Sequence, residues 1–426
     1  MGRSRIAKVV SMVTVAGLAT AVLAAGPGAA GAVEQDRGNV NGSLELGQLA
    51  SQTGELSNIV QSLTVPVTMA VDDINAAGGV LGKPVTYTVA DDANDPETAS
   101  ESLEGLLEDA KVDAIMGSTS SGVTLNLLDE VRRRGVLMCS GSNTAAELST
   151  TDSGGYYFRT TPSDRLQGPA LGDLVLKDGR KKVGILARRD TYGVGLAQSV
   201  TKALEKGKAK VVADVSYDPD AKSFDKEVQR VVAKKPDAVI VLGFENDGSD
   251  IVRTLIAKGL SPQQFPIYSA DGMRTNAFPT LLDPNNPGAA AGIKGTSPAT
   301  QPAGVQSPFF DAFSTTGIDP IYSSNYYDCT VLTALAAEKA KSDDPAKMKE
   351  VFAANTRGKE ECRTFADCKQ LLDAGKTIHY EGASAAFPHM NKFGKSEPNA
   401  GMYEVWQFDE NGRDVTAPPE TQIRIG

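Results

Sequence analysis

Apolar positions along the chain recur with two periods. Short unbroken apolar runs, read as buried strands, alternate with stretches where apolar residues return every three or four positions, the mark of a helix with one covered face. Leu44–Leu49, Val85–Ala90, Ala114–Met116 and Val136–Cys139 are the first strands. Between them Val67, Ala70, Val71 and Ile74 share a helical face, as do Ala99, Leu103, Leu106 and Leu107, and then Val123, Leu127 and Val131. The first of these helices is expected to start or kink at Pro66 and to stop at Gly78-Gly79. The order then returns. Lys182–Leu186, Val211–Val215, Ala238–Leu242 and a strand beginning at Ile267-Tyr268 are separated by helical stripes through Leu196 and Val200, Phe224 and Val228, and Ile251 and Leu255. Such alternation predicts α/β architecture with parallel sheets covered by helices on both faces. Asp113-Ala114-Ile115 recurs as Asp237-Ala238-Val239, and Gly135 recurs as Gly259, each 124 residues later. The expectation is two doubly wound lobes of similar build, with a ligand outside the carboxyl ends of their strands. After about residue 285 the pattern loosens: PNNPGAAAGIKG reads as a crossing segment, and Val331, Leu332, Leu335 and Ala336 begin a helix. Ala346–Ala353 reads as another helix, and MYEVWQF alternates like a strand before the turn DENGRD.

Composition changes this picture in three places. The chain has 426 residues, 41% hydrophobic and 23% charged, which gives room for two full cores and excludes a disordered chain, a collagen and a polytopic membrane protein. With 53 acidic against 43 basic residues the net charge is −10, which argues against a nucleic-acid scaffold. Residues 1–32 depart from the rest. Arg3, Arg5 and Lys8 precede an apolar run from Val9 to Ala25, Gly26-Pro27-Gly28 breaks it, and Ala30-Gly31-Ala32 offers a cleavage site. This is the pattern of a secretory signal peptide. Ser11, Thr14 and Thr20 make the run a poor span of a bilayer core of roughly 30 Å. No cysteine precedes Cys139, so the cleaved end has no thiol for a lipid. The expected product is exported, periplasmic or at the cell surface or beyond it, and not a lipoprotein.

Export to an oxidising compartment suits the cysteines. Cys362 and Cys368 lie six apart among polar residues and read as a local disulfide, whereas a metal site there would need more ligands nearby than His379 and His389. Cys139 and Cys329 fall in or beside apolar runs and read as buried free thiols.

The chemistry-bearing residues cluster after strand ends. Ser120, Ser121 and Gly122 follow Ala114–Met116 and open a helix, where hydroxyls and unpaired N–H groups form either an anion site or an ordinary cap. Ser142, Asn143 and Thr144 make a polar turn after Val136–Cys139. Tyr192 lies in DTYG, Phe244 and Glu245 follow Ala238–Leu242, and Asp271 lies in YSADG. DDANDP lacks the glycine and terminal glutamate of a calcium loop and reads as a helix-capping turn. GSTSSG lacks the acid that completes a dinucleotide fingerprint. With no nucleophile–base pair and no cofactor motif, the expectation is a binding protein without metal or cofactor rather than an enzyme.

Seven motifs in order carry a family resemblance. They are DDINAAGGVLGKPV (72–85), DDANDPETA, DAIMGSTSSG, GVLMCSGSNTAAEL, YYFRTTPSD (156–164), KKVGILARRDTYGVG and YEGASAAF (380–387). Over roughly residues 44–415 the chain resembles substrate-binding proteins of branched-chain amino-acid ABC transporters, the type I periplasmic binding proteins. The resemblance implies two Rossmann-like lobes joined by a three-stranded hinge, lobe 1 from 44–162 and 296–398, lobe 2 from 163–295 and 399–426. It also implies closure about that hinge and delivery of an amino acid, of branched-chain type first, by a monomer to a membrane permease. By the same resemblance Ser121, with Ser120, holds the ligand carboxylate. Ser142, Asn143 and Thr144 serve the ammonium and carboxylate, Tyr192 reaches across from lobe 2, and Asp271 pairs with the ammonium. Phe244 or Glu245 takes a further lobe 2 position, the one as pocket wall and the other as second acid. Ile59 stands where the leucine binder has a tyrosine, which leaves the ligand side chain open. The alternatives are another small carboxylate, an amide or urea, or a sensory role for the same fold.

Overall fold

The structure, a computed structural model, describes residues 40–384 and 396–426. The signal segment 1–32, His389 and part of YEGASAAF lie outside the described residues. The elements follow in chain order: β1 (Glu45–Ala50), α1 (Val60–Ala76), β2 (Thr86–Asp91), α2 (Pro96–Glu108), β3 (Ala114–Met116), α3 (Ser121–Arg134), β4 (Leu137–Ser140) and β5 (Tyr157–Arg159). Then come α4 (Asp164–Lys177), β6 (Lys182–Arg188), α5 (Thr191–Lys206), β7 (Lys210–Tyr217), α6 (Asp225–Val232), β8 (Ala238–Leu242), α7 (Glu245–Ala257), β9 (Ile267–Ser269) and α8 (Phe278–Leu282). The rest are β10 (Lys294–Pro298), α9 (Pro308–Ser314), α10 (Ser323–Ala340), α11 (Pro345–Val351), β11 (Glu360–Cys362), α12 (Phe365–Asp373), β12 (Ile378–Tyr380), β13 (Gly401–Phe408), β14 (Asp414–Thr416) and β15 (Ile423–Ile425).

Two main sheets result, each with a doubly wound parallel core. The first has five strands in the order β2-β1-β3-β4-β5. The second carries the mirrored run β10-β9-β8-β6-β7, extended by β13 and β14, with β15 also on β13. Strand order 2-1-3-4-5 therefore appears twice, as the internal repeat predicted. The repeated aspartates do the same job in both. Asp113 accepts the N–H of Glu45 at the start of β1 (2.9 Å), and Asp237 accepts the N–H groups of Lys181 and Lys182 at the start of β6 (3.0 Å each at best). Gly135 and Gly259 follow α3 and α7 with φ of 66° and 84°. The central strands of the second sheet are buried on both faces, Ala238–Leu242 throughout, which is why they read as unbroken apolar runs.

The structure departs from the sequence reading at four points. α1 begins at Val60 and carries Pro66 in its interior, where buried Leu63 and Val67 pack on either side of it. β10 begins on the last two residues of what read as the crossing segment and runs on to Pro298, and residues 295 and 296, between which the expected lobe boundary falls, both lie in it. α10 starts at Ser323, well before Val331; residues 323–338 are all buried, so the helix has no polar face to give it a stripe. Cys139 and Cys329 are not free thiols. They form a disulfide between β4 and α10, with Cα atoms 5.9 Å apart, beside the expected Cys362–Cys368 bond. Nothing in their spacing pairs two cysteines 190 residues apart.

Candidate ligand-binding site

A small cavity of about 40 Å³ lies between the carboxyl ends of the two sheets. The first layer contributes Asn58 and Ile59 after β1, Thr119, Ser120 and Ser121 after β3, Ser142 and Thr144 after β4, and Tyr322 just before α10. The second contributes Tyr192 after β6, Phe244 and Glu245 after β8, and Asp271, Gly272 and Thr275 after β9. Every strand that supplies the site does so from its carboxyl end, as parallel sheets require.

The first wall is built of neutral donors. Gly117 turns the chain out of β3 at φ 126°, where a Cβ would strike the carbonyl oxygen of Leu49. Asp92, in the DDANDP turn, accepts the N–H of Thr119 (3.0 Å), and the Thr119 hydroxyl accepts the N–H of Ser51 (3.0 Å). Asp95 of the same turn caps α2 by accepting the N–H of Thr98 (2.8 Å). Ser120 caps α3 through the N–H of Val123 (3.2 Å), and Ser121 Oγ accepts the N–H of Ala145 (3.2 Å). Ser142 Oγ donates to the Thr119 carbonyl (2.7 Å). A helix amino end ringed by hydroxyls holds an anion without a formal positive charge.

The second wall is aromatic and acidic. Tyr192 stacks on Phe244 with centroids 5.5 Å apart. The Arg188 guanidinium sits 3.6 Å from the Phe244 centroid and is tied to Asp190, Asp247 and Glu55. Asp271 is almost wholly buried. Its Oδ1 accepts from Gln167 Nε2 and from the Tyr192 hydroxyl (3.4 Å), and its Oδ2 accepts from the Tyr322 hydroxyl. Burial raises its pKa above the ordinary carboxylate value, and the hydrogen bonds from Tyr322, Gln167 and Tyr192 work against that rise. A Cβ on Gly272 would lie 2.6 Å from the Gly243 carbonyl oxygen, so only glycine lets β9's outgoing loop lie this close to β8's. Glu245 Oε2 accepts from Asn58 Nδ2 and from Thr275 Oγ1 (2.7 Å).

Seven of the residues singled out from the sequence line this cavity together: Ser120, Ser121, Ser142, Thr144, Tyr192, Phe244 and Asp271. Asn143 does not. It is fully buried behind the wall, donating to the carbonyls of Ser118 (3.0 Å) and Thr119 (3.1 Å) and accepting from the Tyr157 hydroxyl (3.1 Å). Both Phe244 and Glu245 reach the cavity, so its lining does not choose between the two alternatives for that position. Sequence reasoning missed Asn58, Thr275, Ile321 and Tyr322, which come from irregular segments with no periodic signal.

Residues 43–383 match the family profile described as "Periplasmic binding protein". The Leu/Ile/Val-binding protein of Escherichia coli strain K12 is 28% identical over 291 residues, covering 67% of this chain and 76% of that protein. The leucine-, isoleucine-, valine-, threonine- and alanine-binding protein of Pseudomonas aeruginosa is 28% identical over 294 residues, covering 68% of this chain and 76% of its own length. The crystal structure of a branched-chain amino acid transporter substrate binding protein from Streptococcus pneumoniae, in complex with isoleucine, superposes with a TM-score of 0.71 at 22% identity, over 90% of this chain and 99% of that one.

Proposed function

We propose a function from one premise: the chain belongs to the periplasmic binding protein family. It is the exported binding component of an ABC importer and not an enzyme. It captures an α-amino acid with a short branched side chain, leucine, isoleucine or valine first, and hands it to a membrane permease as a monomer. The lobes follow the expected division, 44–162 with 296–398 and 163–295 with 399–426, except that all of β10, to Pro298, goes with the second, and the ligand lies between them. Export rests on the leader read in residues 1–32, and among the described residues no helix is long and apolar enough to cross a membrane.

The observation that carries this reading is the pairing of unlike walls in one cavity. The neutral-donor cradle of Thr119, Ser120 and Ser121 suits a carboxylate, and buried Asp271 opposite suits an ammonium. Leu56, Ile59, Phe244 and Ile321 supply the apolar wall for a side chain. The relatives that bind leucine, isoleucine and valine support the choice of side chain.

A thermal-shift panel of L-amino acids and their deaminated acids tests it. Leucine, isoleucine or valine at about a thousand times its dissociation constant adds roughly 4 kcal/mol of stability, and the deaminated acids add little. Asp271→Asn weakens the amino acids by about 2–5 kcal/mol, since the ammonium is left buried without its counter-charge. Equal binding of amino and deaminated acids rules out Asp271 as the ammonium partner.

A further inference from the structure

A second carboxylate faces the same cavity, and an aliphatic amino acid leaves it unused. Glu245 is the first residue of α7 and is only 6% exposed. Its two hydrogen bonds, from Asn58 and Thr275, both fall on Oε2 and both come from neutral donors. No lysine or arginine is among the lining residues. Arg188, the arginine against Phe244, is already engaged with Glu55, Asp190 and Asp247. Glu245 lines the cavity together with Leu56, Ile59 and Phe244. A leucine or valine side chain would therefore seal hydrocarbon against a carboxylate, which loses the carboxylate its remaining hydration and returns nothing. A ligand that brings a hydrogen-bond donor to Oε1 avoids that loss.

We propose that Glu245 is a specificity-determining residue that accepts a hydrogen bond from the ligand's side chain. The ligand class then extends beyond leucine, isoleucine and valine to α-amino acids whose short branched side chain carries an amide or hydroxyl donor, asparagine and threonine. These are the polar isosteres of leucine and valine, so they fill the same volume. The inference rests on the amino-acid reading above, in which Asp271 and the Ser121 cradle hold the head group. A wholly apolar pocket would bind a hydroxyl-bearing isostere about a hundredfold more weakly than the hydrocarbon it was shaped for. Glu245 removes that discrimination.

The test is isothermal titration of the purified protein and of Glu245→Met with two isosteric pairs, leucine with asparagine and valine with threonine. In the native protein each polar member binds at least as tightly as its hydrocarbon partner. In Glu245→Met, which keeps the volume and removes the acceptor, each polar member falls about a hundredfold behind. Each comparison is a ratio of two ligands on one preparation, so a partly unfolded variant does not distort it. Native discrimination of about a hundredfold in favour of leucine and valine overturns the proposal and leaves the amino-acid reading standing. A ratio that Glu245→Met does not change overturns it equally. Failure of all four ligands to bind overturns the amino-acid reading and this inference with it.

Discussion

At the scale of single residues, burial decides what a carboxyl does, and burial is what a sequence states least directly. Asp113 was legible as the partner of Asp237 in the internal repeat, and both tie a third strand to the first strand of its sheet. Their surroundings differ. Asp237 is half-buried, whereas Asp113 is fully buried with Oδ1 lacking a partner. Burial pushes its pKa from 3.8 up to about 9; the N–H of Glu45 opposes this, and the Glu45 and Asp343 carboxylates add to it. The sign follows from proton counting. Between pH 3.8 and about 9 the folded chain keeps a proton on Asp113 that the unfolded chain has released, so this residue makes stability fall as pH rises across that window. Asp113→Asn removes the titration and keeps an oxygen for the Glu45 N–H. The variant is expected to be more stable than the native protein at pH 8, with the gap closing as the pH falls towards 4 in paired urea unfolding curves. A gap independent of pH would show that Asp113 does not titrate in this way. The residues of the cavity obey the same division. Ser121, Thr144, Tyr192 and Asp271 were legible because each follows a strand end. Tyr322, 51 residues from Asp271 and at φ 59° before α10, was not.

At the scale of elements, apolar runs and periodicity found the strands and the amphipathic helices and failed where a helix is covered on every side. α10 is the clearest case, since it runs through the core and Cys329 sits on it opposite Cys139 of β4. The same complete burial that hid the helix made the two cysteines look like ordinary core residues. The disulfide they form closes a separation of 190 residues, against 6 for Cys362–Cys368. Loop-closure entropy then predicts about 5 kcal/mol of stabilisation from the inner bond and about 2 kcal/mol from the outer one. Replacing both cysteines of each pair with alanine, one pair at a time, and comparing chemical unfolding curves measures the two. The inner double variant should lose clearly more, and equal losses would mean that chain entropy is not what the inner bond restricts. The nearness of Cys362 to Cys368 in the chain is why only the outer bond could be read from spacing.

At the scale of the whole molecule, the twofold repeat of the strand–helix pattern was visible in the sequence, but the 2-1-3-4-5 strand order and the contacts that hold the two layers together across the cavity were not. Among the described residues three side-chain links cross it: Tyr322 to Asp271, Asn58 to Glu245, and Glu55 to Arg188. Glu55 and Arg188 are 133 residues apart in segments that share no pattern. Their pairing is two-pronged, with both guanidinium nitrogens 3.0 Å from the two carboxylate oxygens. Arg188 is buried and already fixed in its own layer by Asp190 and Asp247, so it keeps its place whether or not the layers meet. Glu55 is the partner that would leave as the layers part, and its side chain is 24% exposed at the rim. Glu55→Gln therefore spares the pocket wall and weakens only the closed arrangement. Partial exposure screens the pair, so the loss is about 1 kcal/mol, or roughly fivefold in ligand affinity. Small-angle scattering supplies the readout that separates closure from a local defect. Without ligand the variant should have a larger radius of gyration than the native protein, and at saturating ligand the two should coincide, because bound ligand favours the closed form through its own contacts. Identical ligand-free radii with unchanged affinity would show that the layers are held by the remaining two links alone.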